Sequence, residues 1–407
     1  MSFKDLGLSD PILKTLKRLD HLTPTEIQTK TIPLILKGKN ILASAKTGSG
    51  KTAGFVLPIL EKLNSLKSPK NKNVNALIVT PTRELTAQIQ ENVLNYGRSM
   101  SITSASVYGG VKIFPQKNKL KNGVGILVAT PGRLLDLVNQ KAIFLNSVEI
   151  LVLDEADLML DMGFLNDIKK ILRLLPQKRQ NLMFSATFSN EIRSLARNLN
   201  NNLIEVITAS SNSTVESVAQ TIYAVDKENK SKMLGYLINE YRWNQVLVFS
   251  RTKHGTEKIA KQLKKFGIEA ITIHGNKSQS ARTRALKDFK SLKAQVLVAT
   301  DVAARGIDVN DLPYVVNYDL PSIPNDYVHR IGRTGRAGKE GNAISFFSAD
   351  DGKHLKAINQ LTKLSLRPEV LEGFEPSFDP NKSIKKLRSP SKGKKKSKRY
   401  FGKARKR

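Results

Sequence analysis

Residues 45–52 read AKTGSGKT and lie between an apolar run at residues 41–43 and a predicted helix over residues 52–63. A strand, a glycine-bearing turn and a helix in this order form the setting of a phosphate-binding loop. Glycine lets the backbone curl so that successive amide N–H groups point at phosphate oxygens, and the helix N-terminus adds its donors and positive dipole end. An ordinary turn between a core strand and a helix is the alternative. The stretch predicts nucleotide phosphate binding and leaves open how the energy is used.

Two residues of this loop have side chains suited to specific parts of a nucleotide. The ammonium group of Lys51 would reach the terminal phosphates, and the hydroxyl of Thr52 would hold Mg²⁺. The usual pattern begins with glycine, whereas this chain has alanine at that place. The nucleotide-binding residues predicted from the loop are Ala45, Lys46, Thr47, Gly48, Ser49, Gly50, Lys51 and Thr52.

Length and composition indicate a globular protein of the cytoplasm. The 407 residues suffice for two domains with full cores, or for three small ones. No apolar run approaches the roughly 18 residues of a membrane span, and the first ten residues carry early acids and no apolar signal core. The chain has no cysteine, which excludes disulfides and thiolate metal sites and fits a reducing compartment. We therefore expect a cytoplasmic protein without a membrane partner.

The net charge points to a polyanionic partner. The chain carries +32 at pH 7 and has a pI near 10.1. Residues 380–407 hold fourteen Lys or Arg and no acid, yet the preceding 379 residues still carry +18. Nucleic acid is favoured over an acidic membrane because no amphipathic anchor accompanies the basic tail.

Apolar runs alternate with helical segments in two sets, which predicts two α/β domains. Runs that are rich in Val and Ile and nearly all apolar are typical of central strands in parallel sheets covered on both faces. Small polar residues at 209–216 predict a linker between domains at residues 1–208 and 217–365, and residues 366–407 are predicted to be a basic low-complexity tail. The predicted strands are residues 41–43, 76–79, 104–107, 126–129, 150–153 and 182–184 in the first domain, and 245–249, 270–273, 296–299, 315–318 and 343–347 in the second.

The acids at residues 154–157, DEAD, follow the apolar strand predicted at residues 150–153. They therefore lie at the carboxyl end of a buried strand, where open α/β sheets bind ligands. Beside a phosphate loop, one carboxylate can hold Mg²⁺ while the next orients or deprotonates the attacking water. An acidic helix start is the alternative. We assign the metal, together with Thr52, to Asp154, and the water to Glu155.

Seven short motifs occur in a fixed order along the chain. They are AKTGSGKT at 45–52, PTREL at 81–85, TPGR at 130–133, DEAD at 154–157, SAT at 185–187, ARGID at 304–308 and HRIGRTGR at 329–336. In this order and spacing they resemble the motifs of the DEAD-box ATP-dependent RNA helicases over residues 3–350. The compact ends and basic tail are similar to the bacterial RhlE-type branch of that family.

The resemblance implies a fold and a set of ligands. The fold would be two tandem RecA-like domains with parallel sheets, plus a disordered basic C-terminal tail. The cofactors would be ATP and Mg²⁺, and the partner would be RNA, single-stranded or in short duplexes, bound with little sequence preference. The tail would be an RNA tether in which Tyr400 and Phe401 add base stacking, although a solvated segment without a ligand or a nuclear address would have the same composition.

The resemblance also implies that both domains supply the ATP site. Gln28, whose amide can both donate and accept, would read the adenine edge, and Phe3 would stack on the base or else pack under the first helix. Arginine stays charged and binds phosphate oxygens through a planar fork, so two arginines of the second domain would offset charge on the transferring phosphoryl group. The residues implied in the second domain are Arg333 and Arg336 as these fingers, His329 near the attacking water and Asp308 on the ribose.

RNA contacts are implied along one face of both domains. Hydroxyls and backbone amides beside arginines suit the sugar–phosphate backbone, which positions RNA but carries no sequence information. Ser185 and Thr187 of the SAT motif would couple the domains. The implied RNA-binding residues are Arg83, Gly110, Thr130 and Arg133 in the first domain, and Gln279, Arg282 and Thr300 in the second. Trp243, His21, His254, His274 and His354 have no metal-ligand spacing and are predicted to be structural.

These residues predict an ATPase that acts when RNA closes the cleft between two domains, and that locally unwinds short RNA duplexes or remodels RNA–protein complexes. Two alternatives remain: an ATP-gated RNA clamp, and a DNA-directed motor. A GTPase is disfavoured because the chain has no Asn-Lys-x-Asp string and because Gln28 suits adenine. Ribosomal and messenger RNA complexes are both open as targets.

Overall fold

The computed structural model describes residues 1–45, 48–64, 72–200, 202–208, 218–304, 307, 309, 311–335 and 341–385. Within this part of the chain, each domain holds a seven-stranded parallel sheet flanked by helices, so the predicted α/β class with two tandem domains is confirmed. The predicted linker and the tail from residue 386 lie outside the described residues. The strands are β1 (Ile41–Ser44), β2 (Val74–Val79), β3 (Ser104–Val107), β4 (Val124–Ala129), β5 (Ile150–Leu153), β6 (Gln180–Ser185) and β7 (Ile204–Ile207), then β8 (Val218–Ala224), β9 (Val246–Phe249), β10 (Ala270–Ile273), β11 (Val296–Ala299), β12 (Tyr314–Asn317), β13 (Gly341–Phe347) and β14 (Pro368–Glu369).

Helices cover both faces of each sheet. A single 3₁₀ turn, Lys4–Leu6, precedes the first of them. Among the described helices we find none with the length and apolar character that crossing a bilayer requires. The helices are α1 (Asp10–Arg18), α2 (Glu26–Leu36), α3 (Lys51–Asn64), α4 (Arg83–Tyr96), α5 (Ile113–Leu120), α6 (Pro131–Asn139), α7 (Ala156–Asp161), α8 (Leu165–Leu174) and α9 (Asn190–Leu199), then α10 (Lys230–Glu240), α11 (Lys253–Lys264), α12 (Gln279–Lys290), α13 (Asp301–Ala304), α14 (Pro324–Ile331), α15 (Gly352–Thr362) and α16 (Pro380–Lys385).

The two sheets share one strand order. The first runs β3-β4-β2-β5-β6-β1-β7, and the second runs β10-β11-β9-β12-β13-β8-β14. Strands β8 to β14 of the second sheet therefore correspond in position, one by one, to strands β1 to β7 of the first sheet. Because all the strands of a sheet are parallel, their carboxyl ends meet at one edge, and the loops that follow β1, β2, β4 and β5 gather there.

Three strands escape the sequence pattern because they are not continuous apolar runs. In β7 only Val206 is buried, and in β8 the polar pair Gln220 and Thr221 interrupts the apolar residues. The third, β14, is two residues long and pairs with β8 at Ile222 and Tyr223. The structure thus extends the second domain past the predicted boundary at residue 365, and Phe378 packs beside Phe347 in its core.

A buried arginine ties three segments of the second domain together. Arg330 in α14 is 2% exposed, and its guanidinium donates through Nε and Nη2 to the two carboxylate oxygens of Asp301, at 2.6 and 2.7 Å. Its Nη1 donates to Asn317 Oδ1 at 3.1 Å and to the carbonyl of Asp319 at 2.6 Å. The guanidinium also lies 5.0 Å from the centre of the Phe249 ring. This planar fork joins α14 to α13 and to the end of β12, so the first arginine of HRIGRTGR has a structural role.

We expect Arg330→Met to lower the free energy of unfolding of the second domain by about 3–5 kcal/mol, because it leaves Asp301 without its partner. Trp243 is the only tryptophan and stacks on Tyr314 in the core of this domain, so its fluorescence during urea unfolding follows the domain directly. Arg367→Met, at an exposed position of the same domain, is the matched control. If both variants unfolded with the same urea midpoint as the wild-type protein, this role of Arg330 would be contradicted.

Candidate functional site

A cavity of about 350 Å³ opens at the carboxyl edge of the first sheet, and both domains line it. The first domain contributes the phosphate loop, the start of α3 and the acids after β5. The second contributes Ile307, His329 and Arg333. The structure thus brings the glycine loop, the carboxylates and an arginine of the other domain around one space.

The phosphate loop has the backbone that its glycines predict. Gly48 and Gly50 have φ of 82° and 89°, in the left-handed region that favours glycine. A Cβ on Gly50 would lie 2.4 Å from Nε2 of Gln28, so no larger residue fits there. The hydroxyl of Ser49 is buried and has no hydrogen-bond partner among the described residues. A buried donor without a partner suits a phosphate oxygen, so the loop fits a nucleoside triphosphate.

Gln28 braces the phosphate loop as well as facing the cavity. Its Nε2 donates to the carbonyl of Gly50 at 3.1 Å, and its Oε1 accepts from the backbone N–H of Thr25 at 3.0 Å, which closes a capping box on α2. A primary amide has two N–H donors and two lone pairs, so one of each remains for an adenine edge. Phe3 lines the same cavity and also packs in the core of the first domain, and its stacking on a base stays a prediction.

Lys51 and Glu155 form an ion pair that is almost fully buried. Lys51 Nζ lies 2.7 Å from Glu155 Oε1, and the two side chains are 6% and 13% exposed. Burial raises the pKa of Glu155, but Lys51, assisted by His329 and Arg333, outweighs it, so this pKa lies below its usual value. Burial lowers the pKa of Lys51, but Glu155 and Asp154 raise it above the usual value. Both partners therefore stay charged at neutral pH.

Asp154 differs from its neighbour in both charge and backbone. Burial and the adjacent Glu155 raise the pKa of Asp154 to about 7, so this carboxyl is ready to lose its proton to a cation. Glu155 has φ 51° and ψ 52°, a left-handed conformation that costs a residue with a side chain on the order of 1 kcal/mol. The strain falls on the residue with the predicted catalytic role.

Thr52 and Asp154 line the cavity together, and they are the predicted Mg²⁺ ligands. The described residues contain no group of three or more His, Cys, Asp or Glu that could hold a metal alone. Mg²⁺ keeps several waters and takes one or two carboxylates besides substrate phosphates, so two protein ligands fit it. The other predicted nucleotide residues Lys46, Thr47, Asp308 and Arg336 lie outside the described residues.

The last acid of DEAD holds the SAT segment. Asp157 Oδ2 accepts from the N–H groups of Ala186 and Thr187, at 3.1 and 3.0 Å, and from the hydroxyl of Thr187 at 3.1 Å. Ser185 closes the turn by donating to the carbonyl of Thr187 at 2.8 Å. The predicted coupling residues Ser185 and Thr187 are thus joined to the acids of the ATP site through Asp157.

In the first domain, the predicted RNA contacts meet around one loop. Arg83 lies against Gly110, where a Cβ would come within 1.9 Å of Arg83 Nη1. Arg133 Nη2 donates to the carbonyl of Val111 at 3.1 Å, while its Nη1 is buried without a partner among the described residues. Thr130 begins α6 as its N-cap and donates its N–H to the carbonyl of Val107 at 3.1 Å.

In the second domain, two predicted RNA contacts reach across to the first. Gln279 Nε2 donates to Glu84 Oε1 at 2.9 Å, and Arg282 Nη2 lies 3.0 Å from Glu84 Oε2. Gln279 Oε1 and Arg282 Nε are buried without partners among the described residues. These two side chains thus bridge the domains and keep polar atoms for a ligand. Thr300 follows β11 and its carbonyl accepts from the N–H groups at the end of α13.

The sequence pattern missed functional residues whose partners lie far along the chain. Glu84 and Asp157 belong to the PTREL and DEAD motifs, but only the structure gives their partners. His21 is structural by the sequence prediction, yet it lines the cavity with Gln28, and its Nε2 lies 3.4 Å from the hydroxyl of Tyr96. In the sequence, the position of His21 seven residues before Gln28 was the available indication that it lies near the ATP site.

Comparisons with known proteins agree with this geometry. The DEAD/DEAH box helicase family matches residues 25–195, and the helicase conserved C-terminal domain matches residues 229–338. An ATP-dependent RNA helicase CshA of Listeria monocytogenes is 41% identical over 376 residues, which are 92% of this chain and 72% of the relative.

Solved structures resemble the whole chain, including both domains together. S. cerevisiae Dbp5 bound to RNA and ADP BeF3 has a TM-score of 0.80 and 32% identity, over 95% of this chain and 98% of that one. Mss116p bound to single-stranded RNA and AMP-PNP has a TM-score of 0.80 and 29% identity, over 95% and 80%. The two domains are therefore arranged as in proteins that hold RNA and a nucleotide.

We expect Glu84→Ala to weaken RNA binding roughly tenfold to hundredfold in the presence of a non-hydrolysable ATP analogue, since bonds to a charged group contribute about 1.5–3 kcal/mol. The variant lacks the bridge to Gln279 and Arg282 that holds the domains together. Fluorescence anisotropy of a labelled single-stranded RNA measures the change. Glu91→Gln, at an exposed position of the same helix, should bind like wild type. Equal affinities for wild type and Glu84→Ala would refute the bridge.

Proposed function

The chain belongs to the DEAD/DEAH box helicase family, and on that premise we propose how this ATP-dependent RNA helicase couples its two ligands. One ATP site is divided between the domains, and RNA that contacts both domains completes it by closing the cleft. The observation that carries this proposal is the cavity lined by Lys51 and Glu155 on one side and by His329 and Arg333 on the other.

The Lys51–Glu155 pair accounts for what the first domain does. Terminal phosphates of ATP offer Lys51 a stronger anionic partner, which frees the Glu155 carboxylate. Glu155, with its lowered pKa, is then ionised and able to orient the attacking water and accept its proton. Thr52 and Asp154 would hold Mg²⁺, which supplies neutralisation of charge on the phosphates.

Arg333 accounts for what the second domain does. It is buried, donates to the carbonyl of Ile307 at 3.0 Å and lowers the pKa of Glu155, so its positive charge acts at the first domain's acid. A guanidinium held there would stabilise charge that develops on the transferring phosphoryl group. Opening the cleft would remove this charge and stop hydrolysis.

In this proposal, the contacts of Glu84 with Gln279 and Arg282 link RNA binding to closure of the cleft. The side chains of Arg282 and Gln279 contact the first domain and keep polar atoms without partners among the described residues, so RNA bound there would favour the closed arrangement. ATP must then tighten RNA binding by the same factor as RNA tightens ATP binding. Hydrolysis would reopen the cleft and release the strand, which supports local unwinding of short duplexes.

Several finer assignments stay predictions. They are the RhlE-type branch, the cytoplasmic location, and the choice between ribosomal and messenger RNA complexes. Arg83, Arg133 and Arg282 are predicted to contact the RNA backbone, so we propose binding with little sequence preference.

Steady-state ATP hydrolysis at fixed salt, alone and with single-stranded RNA, duplex RNA or DNA, tests the function. We expect strong stimulation by RNA and little by DNA. Glu155→Gln should bind ATP and have a turnover reduced by a factor of about 100 or more, because the substitution removes the base. Glu91→Gln is the control with normal turnover. Equal stimulation by DNA would favour a general nucleic-acid motor, and normal turnover of Glu155→Gln would refute its role.

Deleting residues 386–407 should weaken RNA binding and flatten its salt dependence. The deletion removes twelve Lys or Arg, and each phosphate that is no longer neutralised reduces the slope of log K against log salt by roughly 0.7 for a single strand. Replacing the same twelve residues with Gln keeps the length of the segment and should give the same slope as the deletion. An unchanged slope in both would mean that the tail does not bind RNA.

A further inference from the structure

An exposed phenylalanine stands beside the loop where the first domain's RNA contacts meet. Phe114, the second residue of α5, is 69% exposed, more than any other large hydrophobic side chain of the described residues except Met1. It lies four residues after Gly110, which is packed on Arg83, and three after Val111, whose carbonyl accepts from Arg133. Such exposure gains nothing for folding, because the ring stays in water.

The loop next to this ring is held in place by one buried amide. Gln116 Oε1 accepts from the N–H of Tyr108 at 3.1 Å, and its Nε2 donates to the carbonyls of Tyr108 and Lys112, both at 3.3 Å. The side chain thus ties both ends of the loop at residues 108–112 to the first turn of α5. Phe114 therefore keeps a fixed position relative to Gly110.

The chain segment that carries Phe114 holds basic residues and no acid. No Asp or Glu occurs from residue 92 to residue 135, a stretch that holds Arg98, Lys112, Lys117, Lys119, Lys121 and Arg133. Side chains three and seven positions after Phe114 share its side of the helix, and these are Lys117 and Lys121. The buried side chains Gln116 and Leu120 face the opposite way.

We propose that Phe114 and these lysines form a base-stacking subsite for single-stranded RNA, outside the stretch that Arg83, Gly110 and Arg133 hold. An aromatic ring with cations beside it takes any base by its π-face while the cations hold the adjoining phosphates. The inference deepens the proposed function and rests on it. It gives the first domain a grip on nucleotides beyond those that close the cleft.

RNA is the occupant that the charges favour over a protein. An apolar docking surface for a protein carries a hydrophobic centre with few charges, whereas here an exposed ring belongs to a chain segment with several lysines and no acid. The subsite also continues the RNA face from a loop that already contains predicted backbone contacts.

The test compares three substitutions of Phe114 over a length series of single-stranded oligouridylates, by the RNA concentration that gives half-maximal ATPase stimulation. Stacking contributes about 1–3 kcal/mol per base, so F114A should raise that concentration about tenfold for long RNAs and leave the shortest stimulating RNAs unaffected. F114L keeps an apolar side chain without a π-face and should behave like F114A. F114W should behave like wild type.

The tryptophan variant gives a direct readout as well. The natural Trp243 is buried in the second domain, so fluorescence of a new indole at position 114 should be quenched by long RNAs and not by short ones. Phe144 supplies the matched control, since it is 43% exposed with Lys72 over its ring, at the amino-terminal end of β2. RNA should stimulate the ATPase of F144A as it does that of wild type, and RNA should not quench the fluorescence of F144W.

Each outcome decides between named alternatives. Wild type without RNA-stimulated hydrolysis would refute the proposed function itself. Normal stimulation of wild type with an unchanged F114A would overturn the subsite alone. A weakening of equal size at every RNA length would mean that Phe114 acts through the Gly110 loop, and full activity of F114L would mean an apolar surface suited to a protein. Either would overturn a stacking role.

Discussion

The buried Lys51–Glu155 ion pair is the interaction on which the ATP site depends. Two charges taken out of water are stable only while each has a partner, so neither can be released until something replaces it. The phosphate loop, the strained backbone of Glu155 and the brace from Gln28 to Gly50 all serve to hold this pair at 2.7 Å. Only a strongly anionic ligand competes for Lys51, which links recognition of the nucleotide to activation of the acid.

One topology serves two different purposes in this chain. The first sheet uses its carboxyl edge to bind a nucleotide, through a glycine loop after β1. The second sheet has the same strand order, but its first strand, β8, leads into Val225 and Asp226 without such a loop. It instead presents the end of α14, with His329 and Arg333, to the first domain. A repeated scaffold thus supplies two complementary halves.

The sequence predicted the two domains, most central strands and the ATP-site motifs, because continuous apolar runs and glycine-bearing turns are local signals. Strands β7, β8 and β14 were missed because β7 is mostly exposed, polar residues interrupt β8 and β14 has only two residues. Their pairing partners rather than their composition define them. Glu84, Asp157 and Arg330 belong to the motifs, yet the partners named for them above lie 11 to 198 residues away along the chain. Spacing within a motif carries no information about such contacts.

The short strand β14 and the segment after it affect the tendency of this protein to self-associate in solution. A sheet edge exposes a row of unpaired N–H and C=O groups that invites another chain, and β14 covers part of the edge that β8 would otherwise present. A chain ended at residue 365, where the apolar pattern stops, would expose that row beside Phe347. Colloidal stability of the second domain thus depends on a stretch that composition alone would assign to the tail.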